Sequence, residues 1–178
     1  MHIIIDGYNL IRQSDTLRRY ERLSLEEGRK ALINSISQYR RQKGHAVTIV
    51  FDGWEGGSAE EERDRISGIE IIYSRRGEKA DDVIKRMVEK KEVETLVVTS
   101  DRNIADFVNN RGGTAISSRE FEELISVVKT GLPESRTRTE RRYDKDEDDE
   151  IKEGVKKKGP SRRLSRKKKM AMARIRKL

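Results

Sequence analysis

The sequence predicts an α/β domain in which helices cover both faces of a central parallel sheet. Two observations support this fold class. Short apolar runs rich in β-branched residues alternate with longer segments whose apolar residues recur at helical spacing, as in successive β-α-β units. The apolar runs are also nearly continuous rather than alternating, which is typical of parallel strands buried on both faces.

Five strands are predicted, and the first of them is followed at once by an acid and a glycine. The run Ile3–Ile5 leads into Asp6 and Gly7, and the second run leads into Asp52 and Gly53 in the same way. In chain order the predicted strands are residues 3–5, 46–51, 69–73, 95–99 and 114–116, the last at an edge of the sheet.

The helices between these strands have recognisable ends. A capping box supplies hydrogen bonds to the first free amides of a helix, and glycine commonly follows the last turn. The predicted helices run from the capping box Ser24–Glu27 to Gly44, from Asp81–Asp82 to Val88, from Ile104 to Gly112–Gly113, and from the capping box Ser117–Glu120 to Gly131–Pro133.

Two segments lack this regular pattern. Residues 54–67 are rich in Gly and Glu and are predicted to form an exposed loop with some helix. Apolar residues nearly vanish after Pro133, so we expect a domain at residues 1–133 and a flexible or partly helical tail at residues 134–178. A weak helix, formed on binding, is predicted from Leu164, Ala171, Ile175 and Leu178.

The basic excess of the chain lies in the predicted tail. Residues 1–133 hold 22 Lys/Arg and 23 Asp/Glu, whereas residues 134–178 hold 18 and 9, so the net charges are −1 and +9 and their total is the +8 of the whole chain. A basic arm of this kind is typical of proteins that bind a polyanion. A solvated, unpaired chain end would have the same composition.

Composition also excludes several classes of site. There is no cysteine, which rules out disulfides and thiolate metal sites, and the two histidines make a His-based zinc site or a Ser-His-Asp triad a poor explanation. The first residues are too poor in apolar side chains for a signal peptide, and no run approaches a membrane span. We therefore expect a cytoplasmic protein with no membrane partner; the sequence predicts no particular oligomeric state.

Aspartates follow three of the predicted strands. Asp6, Asp52 and Asp101 each stand at a carboxyl end, and α/β proteins bind their ligands along that edge of the sheet. If the first and fourth strands are neighbours, Asp6 and Asp101 meet there, and the helix that opens with Asp81–Asp82 starts or passes close by. Asn9 adds a short amide at the same edge.

Such a cluster of acids needs a compensating charge. Two carboxylates about 4 Å apart at an effective dielectric constant of ~20 repel each other by roughly 4 kcal/mol. A cation, a shared proton or Lys/Arg partners would relieve this repulsion. Oxygen-only ligands favour Mg²⁺ or Mn²⁺, which usually retain several waters.

Each acid can also serve a purely local role. Asp6 can cap a turn, and Asp101 can act as the N-cap of the next helix. Asp81–Asp82 can complement a helix dipole, which contributes ~0.3–1 kcal/mol per charge. These local roles and a shared metal site are the two interpretations that the structure must separate.

Other chemistries of α/β proteins find less support. The chain has neither a Gly-x-Gly-x-x-Gly motif after the first strand nor a phosphate loop ending in Gly-Lys-Ser/Thr. A phosphatase with an aspartyl nucleophile at Asp6 would want an acid two residues later, where the chain has Tyr8. A phospho-accepting receiver also uses an acid cluster and Mg²⁺, and it remains an alternative.

Five short motifs occur in a specific order along about residues 1–130. They are Asp6-Gly-Tyr-Asn-Leu-Ile11, Phe51-Asp-Gly53, Ala80-Asp-Asp82, Thr99-Ser-Asp101 and Ser118-Arg-Glu-Phe121. In this order they resemble the YacP-like NYN domain family, a branch of the PIN-like metal-dependent nucleases. The resemblance implies a three-layer domain with strand order 3-2-1-4-5, a divalent metal at the acidic pocket, and endoribonuclease activity that leaves 5′-phosphate and 3′-hydroxyl ends.

The same resemblance assigns roles residue by residue. Asp6, Asp81, Asp82 and Asp101 match metal-binding or catalytic acids, with Asn9 beside them. PIN-like sites often carry another acid shortly after the last of these, but here Arg102, Asn103 and Ile104 follow, and the nearest candidate for a fourth ligand is Asp106. The expected substrate-binding residues are Asn9, Asp52, Arg75, Arg76 and Lys79, and Trp54 is a candidate for stacking a base.

The leading hypothesis is therefore a Mg²⁺- or Mn²⁺-dependent ribonuclease that acts on RNA, including RNA of a ribosome engaged by the basic tail. An RNA- or ribosome-binding adaptor that keeps the fold without turnover is the alternative from another functional class.

Overall fold

The structure is a computed structural model that describes residues 1–53, 58–90, 93–130 and 166–177. One six-stranded sheet forms its centre, in the order β3-β4-β2-β1-β5-β6. All neighbouring strands are parallel except β3 and β4, which pair antiparallel. The strands are β1 (His2–Asp6), β2 (Ala46–Phe51), β3 (Glu62–Ile66), β4 (Ile69–Tyr73), β5 (Thr95–Val98) and β6 (Thr114–Ile116).

Helices connect the strands and cover both faces of the sheet. They are α1 (Gly7–Gln13), α2 (Leu17–Glu21), α3 (Leu25–Lys43), α4 (Ala80–Glu89), α5 (Arg102–Asn110), α6 (Ser118–Thr130) and α7 (Arg166–Lys177). The α3 N-cap is Ser24, whose hydroxyl accepts the Glu27 amide, and Gly44 ends the helix in the left-handed conformation. The first predicted capping box is thus confirmed.

Successive residues of β1 face two separate apolar cores. Ile3 and Ile5 pack with α1, α3 and α6 on one face, whereas Ile4 packs with α4 and α5 on the other. Burying both faces explains why the apolar runs of β1 and β2 do not alternate with polar residues. Among the described helices, none is long and apolar enough to cross a bilayer.

The fold class and the predicted order of the five parallel strands are confirmed. The sequence-based order 3-2-1-4-5 corresponds to β4-β2-β1-β5-β6 in the structure. The prediction for residues 54–67 was wrong in its second half, because Glu62–Ile66 forms the edge strand β3 rather than loop or helix. All five residues of β3 are exposed, so neither face carries an apolar pattern that would signal a strand.

Two short helices that the sequence analysis does not predict lie before α3. Helix α1 begins at Gly7, directly after β1, and α2 follows it. Gly7 serves close packing here: a Cβ on it would overlap the ring of Phe51.

Helix α7 packs on the domain although it lies in the predicted tail. Its Ile175 is fully buried in the same core as Ile3 and Ile5, and Met172 is packed partly against that core. The helix contacts β6 and α6. Since residues 131–165 lie outside the described part of the chain, the division into a 1–133 domain and a 134–178 tail remains a prediction.

Candidate active site at the carboxyl edge of the sheet

The direction in which the sheet grows changes between β1 and β5. From β1 the chain adds β2 and then β4 on one side, and it returns to add β5 and β6 on the other side. Helices α1 and α5 begin at the carboxyl ends of these two central strands. Such a reversal opens a crevice where α/β proteins bind ligands. The predicted site residues therefore come to one edge of the sheet.

Asp6 is the most buried acid of this edge, with 8% of its surface exposed. Its Oδ1 accepts the Asn9 amide at 3.2 Å and so caps α1, while its Oδ2 accepts the Thr99 hydroxyl at 3.3 Å. Burial raises the pKa of Asp6 to about 6; the two hydrogen bonds oppose the shift, and the negative charges of Asp81 and Asp52 add to it. The ionised form of Asp6 is therefore disfavoured in the folded protein.

Thr99 links Asp6 to Asp101. The Thr99 hydroxyl donates to Asp6 and accepts the Asp101 amide at 3.1 Å. Asp101 in turn caps α5, because its Oδ1 accepts the amides of Asn103 at 2.7 Å and Ile104 at 3.3 Å. The local N-cap interpretation of Asp101 is correct, and the same cap holds the carboxylate beside the crevice.

The third part of the edge is the start of α4. Asp52 accepts the Ala80 amide at 2.6 Å, which ties the end of β2 to the first turn of this helix. Partial burial raises the pKa of Asp81, as do the negative charges of Asp101, Asp52 and Asp82, while Lys85 opposes the shift. The charge of Asp81 contributes to the raised pKa of Asp6, and the charge of Asp101 contributes to that of Asp81, so the three carboxylates lie within electrostatic range of one another.

The Asn9 side chain, which extends from α1, forms hydrogen bonds with residues on the other side of the crevice. Its Oδ1 accepts two hydrogen bonds, from the Ser100 amide at 3.0 Å and from the Ser118 hydroxyl at 2.9 Å. Ser118 is fully buried, and its own amide donates to the Ser100 hydroxyl. With Oδ1 doubly engaged, the Nδ2 group of Asn9 forms no hydrogen bond to the described residues and is free to donate to a ligand.

Sequence reasoning missed Thr99, Ser100 and Ser118 as members of the site. The first two directly precede Asp101, and Ser118 opens the last motif of the family resemblance. Their position at a strand end and at a helix start was a usable signal. The sequence could not show that the carboxyl end of β5 and the start of α6 both approach Asn9, which is separated from Ser118 by 109 residues.

The remaining predicted residues lie on α5, at or just before the start of α4, or outside the described residues. Asp106 is exposed on α5, on the side opposite Ile104 and Val108, which pack in the core, so the structure does not bring it toward Asp101. Arg75 pairs with Glu78 at 3.4 Å, and Arg75 and Arg76 line an open cavity of about 640 Å³ together with Asp82. Lys79 is the N-cap residue of α4, and Trp54 lies in a segment that the structure does not describe.

The donor chemistry of the edge fits a hard divalent cation. In the described ranges no lysine or arginine forms an ion pair with the edge aspartates, although burial raises the pKa of Asp6 and of Asp81 and the repulsion of the neighbouring acids adds to both shifts. The same ranges contain no group of three His, Asp or Glu side chains close enough to hold one ion. A cation would therefore draw much of its coordination from water, as Mg²⁺ usually does.

Comparison with known proteins gives consistent results. The model of the YacP-like NYN domain matches residues 3–177. Uncharacterized protein YacP of Bacillus subtilis (strain 168) is 26% identical over 129 residues, which are 71% of this chain and 75% of that protein. The crystal structure of Rae1 (YacP) from Bacillus subtilis has a TM-score of 0.62 at 25% identity, covering 74% of this chain and 76% of that one. A mutant of Rae1 gives 0.61 at 24% identity, with coverage of 74% and 77%.

Proposed function

The chain belongs to the YacP-like NYN domain family, and from this premise we propose that it is a metal-dependent endoribonuclease. Membership confirms the resemblance seen in the five motifs, and the match extends beyond residue 130 to residue 177. The family is of the PIN-like nuclease type, so the receiver-like alternative loses its support.

The observation that carries the proposal is the bridge from Asp6 through Thr99 to Asp101. One hydroxyl group joins the Asp6 carboxylate, at 3.3 Å, to the backbone amide of Asp101, at 3.1 Å, and so ties together the carboxyl ends of two neighbouring strands. Asp81 adds negative charge to both without an arginine or lysine pairing with it in the described residues. An arrangement that only capped helices would not need this accumulation of uncompensated charge at a concave edge.

In the proposed mechanism, Asp6, Asp81 and Asp101 would hold Mg²⁺ or Mn²⁺ in part through bound waters, because no three acids of the described residues are grouped closely enough to bind one ion directly, and Asp82 would lie at the outer side. When bound, such an ion polarises a phosphoryl oxygen and acidifies water. Asp81 accepts a hydrogen bond from the attacking water and orients it. Asn9 donates from Nδ2 to an oxygen of the scissile phosphate, since its Oδ1 is held by Ser100 and Ser118. Hydrolysis leaves a 5′-phosphate and a 3′-hydroxyl group.

RNA must approach this negative crevice through cations outside it. Arg75, Arg76 and Lys79 stand just before α4 and are proposed to contact phosphates that flank the scissile bond. The basic residues 134–178 are proposed to add a longer-range attraction, which would suit RNA in a ribosome. A cytoplasmic location follows from these proposals and is itself a prediction.

The test is incubation of total RNA with the full chain, with and without Mg²⁺ or Mn²⁺, followed by mapping of the ends. We expect metal-dependent cuts with 5′-phosphate ends. Asp6→Asn combined with Asp101→Asn should abolish cleavage and keep RNA binding, whereas Asp106→Asn, which removes an acid outside the crevice, should leave both intact. Cleavage that survives the double substitution would contradict the assignment of the site.

A non-catalytic RNA-binding adaptor is the second candidate function. It is favoured by the lack, in the described residues, of three acidic or histidine side chains grouped closely enough for one ion. An adaptor would bind RNA and show no metal-dependent cleavage in the assay above. To test the basic segment without removing the buried Ile175, Lys156–Lys158 can be changed to Gln; the salt dependence of RNA binding should then become less steep.

A further inference from the structure

A small cavity lies beside the acidic edge, on the side of β2 and β4. Its volume is about 200 Å³, below the ~300–1,000 Å³ of pockets for drug-sized ligands and suited to one ring system. Tyr8, Arg29, Tyr73 and Leu25 line it, together with the acidic residues Asp52, Glu60 and Glu62. We call this cavity the Tyr73 pocket.

The inner wall of the Tyr73 pocket is a fixed aromatic surface. Tyr73 stacks on Phe51 with ring centroids 5.6 Å apart, and Phe51 meets Tyr8 edge-on at 5.1 Å. The Arg29 guanidinium lies 5.4 Å from the centre of the Tyr73 ring, and its Nε donates to the Leu25 carbonyl at 3.3 Å. A flat cation held over a flat ring is a surface on which nucleic-acid bases stack.

The acidic lining of the Tyr73 pocket disfavours phosphate. Asp52, Glu60 and Glu62 outnumber the single cation Arg29 among the residues that line the cavity. Carboxylates accept hydrogen bonds and repel anions, so the group that enters should be uncharged and rich in donors. Glu62 is the cross-strand partner of Tyr73, which sets its side chain on the same face of the sheet as the ring.

Among the four RNA bases, guanine matches this acceptor. Its N1–H and N2–H groups are adjacent donors that one carboxylate can accept together. Adenine and cytosine pair a single amine with a bare ring nitrogen, and uracil flanks its one N–H group with carbonyls. Both arrangements turn an acceptor of the base toward the carboxylate, which is repulsive.

We propose that the Tyr73 pocket binds a guanine base of the RNA, next to the bond that is cut. Glu62 accepts hydrogen bonds from N1–H and N2–H, while the base stacks on the face of the Arg29 guanidinium that Tyr73 does not cover. The pocket adjoins the acidic edge through two residues: Asp52 belongs to both, and Tyr8 lies two positions after Asp6. This proposal rests on the proposed function, because the base and the scissile phosphate belong to one strand.

The test measures RNA binding without cleavage. Fluorescein-labelled oligouridines that carry one guanosine, inosine or adenosine are titrated with the full chain in EDTA, and the anisotropy is recorded. We expect guanosine to bind about tenfold more tightly than adenosine, since one bidentate base contact gives discrimination of this order. Inosine lacks the N2 amine and should fall between them.

Two variants locate the effect in the pocket. Glu62→Gln should reduce the guanosine-to-adenosine ratio to near one, because an amide presents a donor as well as an acceptor. Asp64→Asn, the same change two residues along β3 and outside the pocket, should leave the ratio unchanged. Arg29→Lys keeps the charge, removes the planar group, and should weaken binding of all three purine-containing oligonucleotides.

Equal binding of the three oligonucleotides by the wild type would overturn the proposal, and so would an equal loss of the ratio in Glu62→Gln and Asp64→Asn. The outcome is separate from that of the nuclease test. A guanosine preference without metal-dependent cleavage would refute the nuclease and retain the pocket. Cleavage without any guanosine preference in binding would support the nuclease and refute the guanine pocket.

Discussion

Replacing Asp6 by Asn should make the protein more stable at neutral pH while removing its proposed activity. The carboxylate is almost fully buried, its negative charge is close to those of Asp81 and Asp52, and no cation pairs with it in the described part of the chain. An amide of the same shape carries no charge. It can still accept the Asn9 amide through its oxygen and so keep the cap of α1.

The size of this effect follows from the pKa of Asp6, which folding raises from 3.8 to about 6. The difference of about 2 pKa units corresponds to about 3 kcal/mol by which ionised Asp6 destabilises the folded state. The substitution also loses the hydrogen bond from the Thr99 hydroxyl, which costs about 1 kcal/mol. The net gain at pH 7.5 is therefore about 2 kcal/mol.

The sign of the pH dependence is fixed by the same shift. Between pH 4 and pH 6 the folded protein keeps a proton on Asp6 that the unfolded chain has lost, so the wild type loses stability as the pH rises through this window. In Asp6→Asn this contribution is absent. The advantage of the variant should grow by about 2.5 kcal/mol between pH 4 and pH 7.5.

The assay is urea denaturation of both proteins in EDTA at pH 4, 5, 6 and 7.5, with Asp82→Asn as a control. Asp82 is an exposed neighbour in the same cluster, so its substitution should change the unfolding free energy by less than about 0.5 kcal/mol. Added Mg²⁺ should then stabilise the wild type more than Asp6→Asn. An Asp6→Asn protein that is less stable than the wild type at pH 7.5 would refute the reasoning.

Three further predictions concern residues that position the site or complete the core. Ser118→Ala removes one of the two donors to the Asn9 oxygen and should lower kcat about tenfold with little change in KM. Ser118→Thr keeps a hydroxyl group and should restore part of the rate. An unchanged kcat in Ser118→Ala would show that Asn9 has no part in the mechanism. Asp52→Ala removes the acceptor of the Ala80 amide and should lower the free energy of unfolding by about 1 kcal/mol as well as the activity. Asp52→Asn keeps an acceptor and should retain the stability of the wild type. Thermal melting of both variants distinguishes them. Ile175→Ala should destabilise the protein by about 2–4 kcal/mol in urea denaturation, since the side chain is fully buried, and a change below about 0.5 kcal/mol would show that α7 is not part of the core.

Much of the central sheet could be read from the sequence because both faces are covered. A strand that is buried on both faces must be apolar throughout, as Ile3–Ile5 and Val47–Phe51 nearly are, and a short β-branched run of this kind is rare outside buried strands. The edge strand Glu62–Ile66 illustrates the opposite case. It is held by backbone pairing to β4 and is exposed, so its side chains were free to be charged and carry no signal of a strand.

The same contrast applies to the site. Asp6, Asp52 and Asp101 were found because an acid at the carboxyl end of a buried strand is conspicuous in the sequence. The sequence could not rank their roles. Packing decided that Asp6 is buried with a raised pKa, that Asp52 also binds the first turn of α4, and that Asp106 is exposed on the side of α5 opposite its core residues.

The sequence by itself determined the alternation of buried strands and amphipathic helices, and with it the edge of the sheet at which the acids lie. Burial leaves a local pattern in the sequence, which is a continuous apolar run for a strand and helical spacing of apolar residues for a helix. Only the tertiary structure decided that Ser118 reaches Asn9 and that Ile175 enters the core. These contacts join residues far apart in the chain, and whether two such side chains meet depends on where the sheet changes direction and how the helices pack on it.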